Sequence, residues 1–448
     1  MSTAAHLETR HLLDGTAITD HRIEVPLDWE DPDGERISVY AREFRGAEHT
    51  AEQAEALPWL LFLQGGPGGR GSRPARLSGW MQEAAKDFRI LMLDQRGTGL
   101  STPLNRQSLA GLDPQDQAEH LRHFRAESII RDAEAFREHL GLRSWSVLGQ
   151  SFGGFCTLTY LSFFPGSLDR ALLTGGLAPL TGHADRVYEH TYAKMTARNR
   201  EYFRRFPEDR ERLDAVIAHL RRSAAEGEPV RLPDGSELTV SRLQLLGMLL
   251  GGNMRIDSLH YLLEEAFIDA ARSELSDTFL TGVGAQISFA ANPLYAVVHE
   301  SIYGQPAALT GGHASTGWAA ERVRKQFPEF SSEADSPLLL GEMILPEHMA
   351  LDPALAPLGE AAEILAGVED WGRLYDAEQL ERNTVPAAAA VYTDDVFVAR
   401  ALSLETAATV ANLQVWETDE FHHDGISEDG ARIFSELLRR TGPHEPRG

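Results

Sequence analysis

The sequence predicts an α/β protein: a mostly parallel sheet whose strands are split by a long helical insertion. Three observations predict it. In the first 185 residues, short apolar or β-branched runs alternate with turns and helical stretches, the pattern of a sheet covered by helices. The same alternation returns after residue 335, beyond a segment with almost no strand character. A single serine also stands among glycines in GQSFGG, Gly149 to Gly154, between the apolar run SWSVL and the helical FCTLTYLSFF.

Taken in order, HRIEVPL and RISVYAREF are joined by the turn-rich DPDGE and read as an antiparallel hairpin at the sheet edge. WLLFLQ, RILMLD, SWSVLG and RALLTG follow as strands, with a helix through ESIIRDAEAFREHLG between RILMLD and SWSVLG. The middle of the chain carries charged helical patterns, VYEHTYAKMTARNREYFRRF, RERLDAVIAHLRRSAAEG and LHYLLEEAFIDAARSEL, and ELTV is its one strand signal. Strands resume in PAAAAVYTDD and ANLQVWET, and SEDGARIFSELLRR closes the pattern as a helix. The expected organisation is a core of residues 1–185 and 336–448, with residues 186–335 as an inserted helical cap. No internal repeat is visible, and only the tail TGPHEPRG reads as loose.

With 448 residues, 42% hydrophobic and 24% charged, the chain can bury a large core. Its net charge of −25 would repel phosphate backbones and anionic lipid, so neither nucleic acid nor membrane is an expected partner. The single cysteine, Cys156, rules out an internal disulfide and a four-cysteine zinc site; a small buried hydrophobe is its expected role. The start, MSTAAHLETRHLLDG, lacks the apolar stretch of a signal peptide, which makes the cytoplasm the expected address.

The chemistry starts at Ser151. Gly149-Gln150-Ser151-Phe152-Gly153 fits G-x-S-x-G, the nucleophile elbow, where small neighbours let a strand turn sharply into a helix and expose the serine. Upstream, WLLFLQGGPGGRG ends a strand in a glycine-rich loop. Gly65 and Gly66 there, with the amide of Phe152, are the candidate oxyanion hole. Gly66, Gly68 and Gly71 also satisfy G-x-G-x-x-G with Asp94 downstream, but SRPARLSGW is a poor immediate helix and a dinucleotide site would leave Ser151 unexplained. In hydrolases with this elbow the order is serine, acid, histidine. Asp394 and Asp395 at one strand end, then His422 and His423 after the next strand, supply it. His299-Glu300 begins like a zinc-protease helix, but Tyr303 stands where the second histidine must be, so no metal is expected.

Together these residues resemble the proline iminopeptidases, serine peptidases of the α/β-hydrolase fold, and in particular their longer bacterial branch. Gln64-Gly65-Gly66-Pro67-Gly68 is similar to the family's H-G-G-P-G loop, with glutamine in place of histidine, and Asp94 to Ser101 is similar to D-Q-R-G-x-G-x-S. LLTGGLAPL, NPLYAVVHESIYG, GEMI and VYTDDVFV extend the likeness along most of the chain. The resemblance implies Ser151 as nucleophile, His423 (in His423-Asp424-Gly425) as general base and Asp395 as its orienting acid, with Asp394 as the alternative. It also implies a carboxylate that holds the substrate's amino terminus, Glu300 first and Glu342 second, and no cofactor. The expected substrates are peptides with a free N-terminal proline. An esterase, an amidase, a broader aminopeptidase or a catalytically silent binding protein on the same scaffold are the competing readings.

Overall fold

The computed structural model describes residues 9–443. Nine strands form one sheet: Thr9–His11 (β1), Ala17–Pro26 (β2), Arg36–Arg45 (β3), Trp59–Leu63 (β4), Arg89–Asp94 (β5), Trp145–Gln150 (β6), Leu168–Thr174 (β7), Ala387–Tyr392 (β8) and Leu413–Thr418 (β9). Their spatial order is β1-β2-β3-β5-β4-β6-β7-β8-β9. The first three strands and the β3–β5 pairing are antiparallel, and every pairing from β5 to β9 is parallel. This is the expected parallel sheet with a hairpin at one edge.

Side-chain alternation explains how the sheet is covered. Leu61, Leu63, Leu91, Leu93, Val147, Leu173 and Ala389 point to one face and pack with the helices Ala126–His139 and Phe152–Phe163. Leu60, Phe62, Ile90, Met92, Leu148, Leu172 and Ala390 point to the other, against Met81 and Ala84 of one helix and Ile433, Phe434 and Leu437 of Gly430–Arg440. Successive residues of a strand face opposite ways, so a strand covered on both sides reads as a continuous apolar run. That is why WLLFL and AAAAVY carry no polar residue before their last position.

Between β7 and β8 the chain forms helices and loops. The longest are Ala184–Arg205 and Pro207–Ala225, which match two of the expected helical patterns. A separate apolar cluster holds this segment together, from Tyr188, Tyr192 and Met195 to Leu246, Phe279 and Leu340.

Three details differ from the sequence expectation. ELTV forms no strand: Glu237 makes an isolated bridge to Arg231, and Thr239 caps a short helix that starts at Val240. The pattern LHYLLEEAFIDAARSEL is helical only to Glu264; its remainder folds back on itself through a Phe267–Leu275 bridge, with Arg272 at φ 55°. The edge strand β1 is three exposed residues with no apolar alternation to announce it. Of the tail expected to be loose, residues 444–448 lie outside the described residues, as do residues 1–8 of the amino-terminal stretch. Among the described residues no helix is long and apolar enough to cross a membrane.

Candidate active site

Ser151 sits between β6 and the helix Phe152–Phe163 at φ 54° and ψ −124°. A non-glycine residue at positive φ costs on the order of 1 kcal/mol or more. The surroundings hold it there: its amide donates to the Thr174 carbonyl at 3.0 Å, and its carbonyl accepts from Gly154 at 2.7 Å. The flanking glycines are required by space. A Cβ on Gly153 would lie 1.9 Å from the Leu63 carbonyl oxygen, and one on Gly149 would lie 2.3 Å from the Gly153 carbonyl oxygen. Gly153→Ala is therefore expected to lower Tm and activity together, because the helix can no longer seat against β4; thermal unfolding and an arylamide assay check it.

His423 joins the serine to an acid. Its Nε2 lies 2.9 Å from Ser151 Oγ and its Nδ1 lies 2.8 Å from Asp395 Oδ2. Asp395 Oδ1 accepts from the amides of Phe397 at 2.8 Å and Val398 at 2.9 Å, which aims the other oxygen at the ring. An ionised carboxylate only accepts, so Nδ1 carries the proton and Nε2 is left to accept from the serine hydroxyl. The Phe397 ring stands edge-on to the imidazole at 5.0 Å. Burial by itself would push the imidazolium down, but the charge and hydrogen bond of Asp395, aided by Glu342 and Asp424, outweigh it and hold His423 above its ordinary value.

The neighbouring alternatives go elsewhere. Asp394 faces the surface, where Lys194 Nζ reaches it at 3.1 Å, and His422 Nδ1 lies 3.0 Å from the Asp394 carbonyl oxygen. Lys194 also donates to the Thr393 carbonyl at 2.9 Å, Asn253 Nδ2 donates to the Glu420 carbonyl at 3.2 Å, and Arg255 lies 3.4 Å from Asp424. The helical insertion thus grips both loops that carry Asp395 and His423.

The glycine loop lies against the elbow. A Cβ on Gly65 would come 2.9 Å from Ser151 Cβ, and Gly66 has φ 135°. The amide of Phe152 opens the elbow helix, where first-turn amides have no intrahelical acceptor and favour negative charge. Asp94 and Gln95 anchor the loop at both ends: Gln95 Nε2 donates to the Gln64 carbonyl at 3.0 Å, and the Gly71 amide donates to Asp94 Oδ1 at 2.9 Å. Only the backbone of Gln64 enters this anchor, so it does not need the histidine of the family loop. Asp94 also accepts from Arg73 and Leu100, which commits it to loop structure and leaves nothing for a ribose. Arg96 is buried, with a bidentate pair to Asp132 at 2.6 and 2.7 Å.

The two candidate amine-binding carboxylates have different surroundings. Both oxygens of the buried Glu300 accept backbone amides, from Ala319 and Ala320, each at 2.9 Å, at the start of the helix Ala319–Arg324. Among the described residues the Glu342 carboxylate accepts one hydrogen bond, from Tyr295 Oη at 3.0 Å. Its residue keeps intermediate exposure, yet desolvation dominates at the carboxyl and pushes it up to about 7; the charge of His423 and the Tyr295 bond oppose that, and Asp395 adds to it. His299 packs against Tyr295 and burial pushes it down to about 4, so it brings no cation to Glu342. Tyr295 had no sequence signal of its own within NPLYAVVHE.

Cys156 is fully buried, and burial pushes its thiol up, which removes it as a nucleophile. Among the described residues Glu208, Asp209 and His260 approach closely enough to share a metal ion. Asp209, however, already accepts from Arg212 at 2.7 Å, from His260 at 2.9 Å and from Tyr202.

A family model described as alpha/beta hydrolase fold matches residues 58–234. A proline iminopeptidase of Aeromonas sobria is 44% identical over 442 residues, which cover 98% of this chain and 99% of that protein. The chain belongs to the proline iminopeptidase family. A second member, proline iminopeptidase aneH of Aspergillus aculeatus, is 33% identical and covers 94% of this chain and 92% of its own. Family membership gives the α/β-hydrolase fold and a hydrolase. In this member the glycine loop, the elbow and the two carboxyl-terminal loops meet at the same end of the sheet.

Proposed function

We infer that this chain is a prolyl aminopeptidase that releases N-terminal proline from peptides through an acyl-enzyme. The observation that carries the catalytic assignment is the His423 imidazole, within 3 Å of both Ser151 Oγ and Asp395 Oδ2. Ser151 attacks the first carbonyl while His423 takes its proton; the Gly65 and Gly66 loop and the Phe152 amide receive the developing oxyanion. His423 then returns the proton to the leaving amine. Water, activated by the same imidazole, releases proline from the serine ester.

Glu342 holds the substrate's ammonium group. A desolvated carboxylate with one neutral hydrogen-bond partner gains most from an incoming cation, and a substrate with a blocked amino terminus leaves it unpaired. Glu300 plays a structural part: Glu300→Ala is expected to cost about 1–3 kcal/mol of stability as two buried amides lose their acceptor, while the preference for free amino termini persists. Thermal unfolding beside assays on free and N-acetylated proline arylamides separates the two effects. The helical insertion acts as a cap that confines the pyrrolidine ring and excludes longer N-terminal extensions, and a cytoplasmic location belongs to the same proposal.

The deciding experiment compares a proline arylamide, an alanine arylamide and a simple aryl ester, with a serine-directed phosphonylating reagent as the active-site probe. Fast turnover of the proline substrate and labelling of Ser151 are expected. Faster turnover of the ester than of the proline arylamide would replace this reading with an esterase.

A further inference from the structure

The glycine loop has a second face. Gly68, Gly69 and Arg70 border a groove of about 420 Å³ whose other walls are Gly97–Gly99, Pro103–Asn105 and residues 290–294. The groove shares its wall with the candidate oxyanion loop: a Cβ on Gly69 would lie 2.3 Å from the Gly65 carbonyl oxygen, and Gly65 itself abuts Ser151. An extended peptide advances roughly 3.3–3.6 Å per residue, so a short leaving peptide is long enough to follow the loop from Gly65 beside Ser151 to Gly69 at the groove.

Its charge is the informative feature. The protein carries a net −25, yet among the described residues no acidic side chain lines the groove, and Arg70 is its single charged wall residue. Arg70 is exposed and makes no hydrogen bond, ion pair or ring contact with the described residues, whereas nearby Arg73 is paired with Asp94. Arg106, next to the wall residue Asn105, is likewise exposed and has no such partner. Glycine at position 68 lets the segment around Asn292 pack directly on the loop and form the groove's opposite wall: a Cβ there would meet Asn292 Oδ1 at 2.3 Å.

We propose that this groove receives the leaving part of the substrate and that Arg70 pairs with the free C-terminal carboxylate of a short peptide, favouring di- and tripeptides that begin with proline. The proposal rests on the prolyl aminopeptidase reading. A zwitterionic short peptide is then held at both ends, its ammonium by Glu342 and its carboxylate by Arg70, with the scissile carbonyl between them. A guanidinium suits the second task because its planar donors match a carboxylate in a bidentate pair.

The test measures kcat and KM for Pro-Gly and Pro-Gly-Gly, for their C-terminal amides and for a proline arylamide, in the wild type and in Arg70→Ala and Arg70→Glu. Arg70→Ala should raise KM for the free-carboxylate peptides about fivefold, the size of a partly exposed ion pair. Turnover of the amides and the arylamide should stay within about twofold, since they make no use of the charge. Arg70→Glu should widen the loss for free carboxylates further, and added salt should shrink the wild-type advantage. Equal effects on carboxylates and amides, or no effect on either, would overturn the assignment of Arg70. Failure of the wild type to cleave the proline arylamide would instead overturn the activity itself.

Discussion

Ser151→Ala is expected to lower kcat for a proline arylamide by roughly 10⁴-fold or more while thermal unfolding stays close to wild type. The hydroxyl is the attacking atom, and no neighbouring group replaces it: the one thiol, Cys156, is buried and kept protonated. Paired substitutions then separate the two aspartates. Asp395→Asn should cost about 10³–10⁴-fold, because an amide in place of the carboxylate no longer fixes the proton on Nδ1 or stabilises the imidazolium. Asp394→Asn should change kcat by less than about threefold, since it loses only a surface pair with Lys194. Equal losses in the two variants would remove Asp395 from its role.

The second large effect is at Glu342. Leaving a buried charge without its partner costs about 3–5 kcal/mol, so Glu342→Gln should lower kcat/KM for proline arylamide by about 10²-fold or more, mostly through KM. The same change should narrow the gap between free and N-acetylated substrates. Unchanged KM would reassign the amine site.

The pH profile follows from the same groups. Glu342, pushed up to about 7, is neutral below that pH and cannot hold an ammonium, and His423, held above its ordinary value, stays protonated to a higher pH than a free imidazole and cannot act as base while it is. In the free enzyme kcat/KM should therefore climb with pH as Glu342 ionises through about 7 and as His423 gives up its proton. Glu342→Gln should reduce that limb to a single ionisation belonging to His423. For stability the raised carboxyl works in the opposite sense. The folded state favours the protonated form, so Glu342 penalises the folded protein as pH rises from its unfolded value of 4.5 through about 7. Glu342→Gln should then raise Tm at pH 8 and leave it unchanged at pH 4, a trade between stability and substrate binding.

Much of this was legible in the chain because its determinants are local. Strands covered on both faces must be apolar throughout, so WLLFL, RILML and SWSVL read as buried strands from composition alone. The elbow is likewise local: only glycine tolerates the approach of Leu63 and Gly153 to the turn, so spacing identifies Ser151. Where periodicity was the sole guide it overran, as in LHYLLEEAFIDAARSEL, because an amphipathic pattern does not reveal that Phe267 pairs with Leu275.

The sheet strands and the elbow follow from neighbours along the chain, and the order of serine, acid and histidine is read straight off it. The family resemblance already preferred Asp395 to Asp394 and His423 to His422; the tertiary structure adds the contacts of each, and it gives Glu300 and Glu342 different surroundings. The members of each pair offer the same chemistry in sequence. They differ in what lies around them: Lys194 against Asp394, a helix start against Glu300, and Tyr295 with the imidazole beside Glu342. Those surroundings come from segments about 20 to 200 residues away, and charge, desolvation and hydrogen bonding act through space and not along the backbone.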